Sequence, residues 1–251
     1  MKLSIFTAGI RPQNWMNLYR SIPNSTTITD RELVIVSPYD LPRKLRNRSD
    51  VRLIRDWGCP TRCYQLGLLH SRGDYVVFIA DDGVFSPGLA IDKAFNILPK
   101  NKGVVSFKYS ENNKNIKQME DPSWWMIGYH TRLKACVPDN YLLTMIALSR
   151  RDHLIGLGGW DCRFEHAGLG HVDLAIRLQN DGANIVMGEK LMDLDWMKGS
   201  SGDHGPITEA HRIDKYLFSK IYSHKRTCYR SKIDFNNWKL STERWERRFG
   251  L

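Results

Sequence analysis

The stretch that most constrains this 251-residue chain runs from Gly73 to Pro87. Tyr75 to Ala80 is a continuous apolar run of β-branched and aromatic residues between Gly73 and Gly83. Such a run reads as a strand buried on both faces, and so as a strand inside a parallel sheet. At its carboxyl end stand two adjacent acids, Asp81 and Asp82, followed by a glycine and, further on, a proline. In open α/β sheets ligands bind beyond the carboxyl ends of the strands. Two carboxylates there can hold a hard divalent cation, which in turn can hold a diphosphate. Taken alone, such a pair is more often a solvated acidic turn; the rest of the chain favours the site.

The preceding segments supply the sheet this strand requires. Lys2 to Thr7 reads as a first strand, turned by Gly9 and Pro12 into a helix over Asn14–Arg20 with Trp15, Leu18 and Tyr19 inward. Strand, tight turn and helix open a nucleotide-binding half-domain. One glycine in the turn is too few for a dinucleotide fingerprint. Leu33 to Ser37 is a second buried strand. Pro42 to Arg55 is a basic run around the short apolar piece Val51–Ile54 and reads as a solvated face. Gly58 to His70 is a turn and a helix whose start carries Arg62.

Beyond the acidic pair, the pattern gives a helix over Gly88–Leu98, a strand over Val104–Tyr109 and a polar loop over Ser110–Asp121. Trp124 and Trp125 follow that loop as core residues or as a stacking platform. Leu142 to Ser149 reads as a buried strand, and a cluster of glycines from Gly156 to Gly170 opens a helix over about His171–Asn180. A short strand over Ile185–Gly188 comes next, and a basic helical tail begins near Thr208. The expected division is a main domain over 1–207 and an extension over 208–251 packed on it.

Composition narrows the partners. Apolar content of 42% and charged content of 25% describe a folded globular protein. No apolar run approaches the ~20 residues that cross a bilayer. The five cysteines are odd in number and lack paired metal-type spacing, so they read as reduced thiols in a cytoplasmic protein. The net charge is +10, and from His211 to Leu251 there are 11 Lys and Arg against 4 Asp and Glu. A basic tail with interleaved aromatics suits a polyanion such as DNA. It also suits anionic lipid.

Four pieces occur in an order and spacing that resemble the GT-A fold nucleotide-sugar glycosyltransferases, family 2-like in particular. They are Phe6–Pro12, Gly73–Asp82 with Pro87, Ala147–Arg150, and Gly158–Phe164 running on to Gly170–Leu178. The resemblance covers roughly residues 2 to 180. It implies an α/β fold with a mostly parallel, Rossmann-like sheet flanked by helices, and transfer of a glycosyl group from a nucleoside diphosphate sugar to a hydroxyl acceptor. Hydroxylated bases in DNA are the acceptor preferred on charge; a glycan or a protein side chain are the alternatives, as is a degenerate domain that binds nucleic acid without catalysis.

The same resemblance implies roles. Thr7, Ala8, Gly9 and Arg11 would contact the base and ribose, and Arg62 the diphosphate, because a guanidinium suits that charge geometry. Ala80-Asp81-Asp82 looks like the Asp-x-Asp motif with its first aspartate replaced. That leaves Asp82 as ligand for Mn or Mg, Asp81 for ribose or metal, and His204 as a further metal ligand. The inverting members' Glu-Asp-x-Asp-Leu motif, aligned on Asp173-Leu174, puts His171 at the position of the catalytic base, with Glu165 and Asp173 as rivals. Trp124, Trp125 and Trp160 would face the acceptor.

Overall fold

The computed structural model describes residues 2–111, 120–128, 137–194, 205–223 and 230–240, with side chains omitted over 205–208. Eight strands form one sheet: β1 (Leu3–Ala8), β2 (Arg31–Ser37), β3 (Val51–Arg55), β4 (Tyr75–Ala80), β5 (Gly83–Phe85), β6 (Gly103–Glu111), β7 (Ala147–Arg150) and β8 (Asn184–Leu194). Their order across the sheet is β3-β2-β1-β4-β7-β6-β8-β5. The pairs β1–β2, β1–β4, β2–β3 and β6–β8 are parallel, whereas β7 is antiparallel to both β4 and β6, and β5 to β8. Six strands therefore point one way and deliver their carboxyl ends to one edge.

The period-two alternation of the strands divides the core into two layers. Leu3, Ile5, Leu33, Ile35, Val77 and Ile79 meet Trp15 and Leu18 of α1 (Trp15–Ser21) and Ile91 and Ala94 of α4 (Ala90–Ile97) on one face. On the other face Phe6, Val34, Val76 and Phe78 meet α3 (Pro60–His70) through Tyr64 and Leu68. They also meet Leu154 of α5 (Arg151–Gly156), and Leu174 and Leu178 of α6 (Ala167–Asn180). The short α2 is Arg43–Arg46, and α7 is Gly205–Tyr222. β4 is the strand that the sequence announces: Val76 to Ile79 have no exposed surface. Among the described residues no helix is long and apolar enough to cross a membrane.

Several elements differ from the sequence reading. Of the Leu142–Ser149 run only Ala147–Ser149 joins the ladder, continued by Arg150; Leu142 forms an isolated bridge to Met126. β8 is 11 residues long, because Gly188 to Leu194 continue through bulges against β6. Helix α6 starts at Ala167 and not at His171, because the side chain of His166 caps it by accepting the Leu169 N–H at 3.1 Å. The glycines in that first turn are used for close approach: a Cβ on Gly170 would lie 2.8 Å from Thr61 Oγ1 of α3.

The C-terminal segment 230–240 crosses back over α3 and the turn at 157–159. Ile233 N–H bonds to Leu157 O at 3.1 Å, and Gln65 Nε2 donates to Phe235 O at 2.8 Å. Gly158 has φ +90°, and any Cβ there would come within 2.2 Å of Ile233 O. Arg230 reaches inward to Asp161 and Asp173.

Candidate active site

A cavity of about 380 Å³ lies along the edge where the six co-directional strands end. It is lined by Pro38 after β2, Ala8 to Arg11 after β1, Ala80 to Asp82 after β4, Tyr109 and Glu111 at the end of β6, and Leu194 at the end of β8. The amino ends of α3 (Gly58, Pro60) and α6 (His166, Ala167, His171) border it, with Tyr64 between them. This is the place where the parallel arrangement leads one to expect a ligand.

The two acids after β4 have separate tasks. Asp81 Oδ2 accepts the Ile10 N–H at 2.8 Å, the Arg11 N–H at 2.9 Å and the Trp15 Nε1–H at 3.2 Å, while Oδ1 takes Arg11 Nη1 at 2.6 Å. Its oxygens are thereby engaged in shaping the β1–α1 loop. Beside the expected ribose or metal role, Asp81 thus anchors the loop that lines the cavity, and it is itself part of the wall. Asp82, the next residue, lines the cavity as Asp81 does.

Across from Asp82 stands Glu111, which sequence reasoning missed. Burial, and then the charge of Asp82, push the Glu111 carboxyl above its usual range. Burial, followed by the charges of Asp81 and Asp82, likewise raises Tyr64, whose hydroxyl donates to Ile79 O at 2.9 Å. Among the described residues there is no group of three or more His, Cys, Asp and Glu arranged to hold a metal. A pair of carboxylates still suits Mn or Mg, since such ions are commonly held by one or two carboxylates, substrate phosphates and water. His204 lies outside the described residues.

The other expected nucleotide contacts divide in two. Ala8, Gly9 and Arg11 line the cavity. Thr7 is fully buried, and its hydroxyl turns to Ala8 O at 3.3 Å. Arg62 is also corrected: its Nε and Nη2 grip both oxygens of Asp56 at 2.6 to 3.0 Å, its Nη1 bonds Trp238 O, and its guanidinium lies over the Trp238 ring. It fastens the C-terminal segment to α3 and does not line the cavity.

The expected bases fare differently again. Asp173 sits one turn inside α6, with no exposed surface, where Arg177 Nε (2.8 Å), Tyr222 Oη (2.6 Å) and Arg230 converge on it. It is the centre of a buried ion network and does not line the cavity. Arg230 also pairs with Asp161 at 2.7 Å. Burial opposes ionising Asp161, and the hydrogen bonds and charges of Arg163 and Arg230 outweigh it, holding that carboxyl below its usual range. Glu165 precedes the cap residue; its backbone N–H bonds to Asp214, and its side chain is not part of the cavity wall.

His171 does line the cavity, its ring packed against Phe78 (stacked at 5.5 Å), Tyr64 and Trp160. Its Nδ1 accepts the Trp160 Nε1–H at 3.4 Å. Burial first, then neighbouring His166, depress its pKa to about 3, so the ring is neutral. His166 is depressed to about 4 by burial and by His211, whose ring centroid is 4.8 Å away.

The tryptophans expected to face an acceptor belong to the core. Trp160 and Trp125 are buried, the first beneath His171 and the second edge-on to Tyr109, and Trp124 is half-buried against the same core. Arg230 of the basic tail is an internal partner of Asp161 and Asp173, and Tyr216 on α7 is 78% exposed. Phe218 and Tyr222 pack that helix down instead.

No protein-family model and no curated protein matches the chain. Solved structures do. A TarS structure from S. aureus covering residues 1–349 superposes with TM-score 0.56 and 15% identity over 100% of this chain and 79% of that one. This chain spans only 41% of the longer TarS structure. A Pyrobaculum calidifontis mannosyltransferase in complex with GDP-Man and Mn2+ gives TM-score 0.60 at 13% identity, covering 99% of this chain and 72% of that one. GalNAc-T7 with UDP, GalNAc and Mn2+ gives 0.62 at 9%, covering 95% and 56%. The chain has the GT-A fold of nucleotide-sugar glycosyltransferases.

Proposed function

We propose that this protein transfers a glycosyl group from a nucleoside diphosphate sugar to a hydroxyl acceptor. The observation that carries the reading is the cavity along the carboxyl edge, with the Asp81-anchored loop 8–11 at one side and the Asp82–Glu111 pair facing into it. Loop 8–11 and Pro38 would take the nucleoside. Asp82 and Glu111 would hold Mn or Mg, which supplies positive charge for the departing diphosphate. The fold neighbours solved with UDP, GDP-Man and Mn2+ support this use of the edge.

The test is a panel of UDP- and GDP-sugars with and without Mn2+, read by thermal shift and by slow hydrolysis of the donor. A bound donor at ~100 times its dissociation constant stabilises by about 2.7 kcal/mol. Asp82→Asn should remove the metal-dependent share of that shift. A panel in which no donor stabilises the protein or is hydrolysed overturns the reading.

For the acceptor, DNA rests on the composition of residues 211–251. Duplex gel shifts at two salt concentrations test it, with Lys225 and Arg226 neutralised and Arg230 left in place. Contacts to phosphate give a log–log salt slope of about −0.9 each. A duplex that fails to bind at ~50 mM salt, where such contacts are strong, removes DNA and leaves a neutral saccharide or a protein hydroxyl.

A further inference from the structure

Two histidines at the start of α6 line the cavity, and both have the same nitrogen occupied in the same way. His166 Nδ1 accepts the backbone N–H of Leu169, and His171 Nδ1 accepts the indole N–H of Trp160. Neither donor can serve as an acceptor: a peptide N–H and an indole N–H only donate. In a neutral imidazole the proton must then reside on the other nitrogen. Both rings therefore carry Nε2–H, and neither Nε2 has a hydrogen-bond partner among the described residues. A neutral ring in that tautomer has no lone pair left to take a proton from an acceptor. The general-base role expected of His171 is incompatible with this arrangement.

We infer that His166 and His171 form an uncharged double-donor subsite for the hydroxyl oxygens of the transferred sugar. This deepens the proposed function and rests on it. The chemistry of the wall favours a polyol over a phosphate. Tyr64 and Tyr109 supply aromatic surface to the wall, while Phe78 and Trp160 pack behind His171 with no exposed surface. Among the described residues Arg11 is the one Lys or Arg on the cavity wall, and it is ion-paired with Asp81. A phosphate at α6 would meet neutral donors only. Sugar hydroxyls need no counter-charge, and the apolar face of a sugar ring suits the tyrosines of the wall.

Asparagine and glutamine separate the structural use of each ring from its proposed use. In His166→Asn and His171→Asn the amide oxygen can stand where Nδ1 accepts its fixed donor, and asparagine is itself a good helix cap; the Nε2–H is lost. In His166→Gln and His171→Gln an amide N–H replaces Nε2–H. Calorimetric titration would use UDP and GDP alone, then UDP-GlcNAc and GDP-mannose. Each Asn variant should bind the bare diphosphates as wild type and the better sugar nucleotide roughly 3- to 10-fold more weakly, the size of one neutral hydrogen bond. Each Gln variant should recover most of that loss.

Proton-coupled 15N shifts of the wild-type imidazoles should also report Nε2–H for both rings at neutral pH. Asn variants that bind sugar nucleotides unchanged overturn the inference, as do Nδ1–H rings. Equal losses for UDP and UDP-GlcNAc place phosphate at the histidines and overturn the sugar assignment. A wild-type chain that binds UDP and GDP but gains nothing from the sugars fails this inference alone, whereas one that binds neither nucleotides nor sugar nucleotides fails the proposed function and this subsite with it.

Discussion

The carboxyl end of β4 and the amino end of α6 both present ionisable residues in close succession, and the two ends divide them by different geometry. After β4 the residues are adjacent and both line the cavity, and it is Asp81 whose oxygens hold the β1–α1 loop. At α6 the helical period does the sorting. It sets Asp173 about 200° round the helix from the cavity-lining His171, toward Arg177, Tyr222 and Arg230, while His166 reaches the cavity as the non-helical cap residue. In each pair of neighbours one side chain shapes the site and the other faces the ligand. Residue type does not say which; the partner within reach does.

The comparison is broken most forcefully on the α6 side. Asp173→Ala should cost about 3–5 kcal/mol, because it leaves Arg177 buried with an uncompensated charge. Urea unfolding would show it, and a loss under ~1 kcal/mol would mean that the network relaxes without its centre. The corresponding change after β4 is smaller. Asp81→Ala removes the acceptor for two backbone N–H groups, an indole and a guanidinium, and should cost about 1–3 kcal/mol together with weakened nucleotide binding. Asp82→Ala should leave the unfolding midpoint nearly unmoved while removing metal-dependent donor binding. Equal effects of the two changes would erase the distinction.

Acid sharpens it further. His171 stays neutral in the folded state down to about pH 3, whereas an unfolded histidine takes up a proton near pH 6.5. The unfolded state thus binds the extra proton between those values, and stability contributed at neutral pH is lost as pH falls from about 6.5 toward 3. One proton of difference is worth about 1.4 kcal/mol per pH unit within that window. Denaturation at pH 6.5, 5.5 and 4.5 should show a slope shallower by about that amount in His171→Gln than in wild type. Identical slopes would mean that His171 protonates in place. At the small end, Tyr216→Ala on the exposed face of α7 should change stability by less than ~0.5 kcal/mol, unlike Tyr222, whose hydroxyl is inside the network.

The sequence was most legible where a local pattern and the fold agree. β1, β2 and β4 are apolar runs with turn residues after them, and both faces of β4 are buried as that composition requires. Legibility failed where the partner is distant in the chain. Nothing near Arg230 hints at Asp161 and Asp173, so a cation in a basic tail read as solvated. Arg62 and Asp56 are six residues apart, yet the guanidinium's third partner, Trp238, is 176 positions away. Glu111 was lost because β6 reads as ending at Tyr109, whereas pairing with β8 carries it two residues further to the cavity. The start of α6 was misplaced because histidine is not a usual cap, and only the Leu169 N–H at its Nδ1 reveals that use.

Arg230 has a consequence for biogenesis. It closes loops of 57 and 69 residues onto Asp173 and Asp161. On a ribosome adding ~5–20 residues per second, both aspartates emerge several seconds before their cation does. Helix α6 can form meanwhile, since Arg177 is four residues from Asp173, but Asp161 must wait with only Arg163 beside it. The nascent chain thus reaches its sheet early and its internal charge balance late. During that interval the turn at Gly158, later covered by Ile233, is open to chaperones and proteases alike.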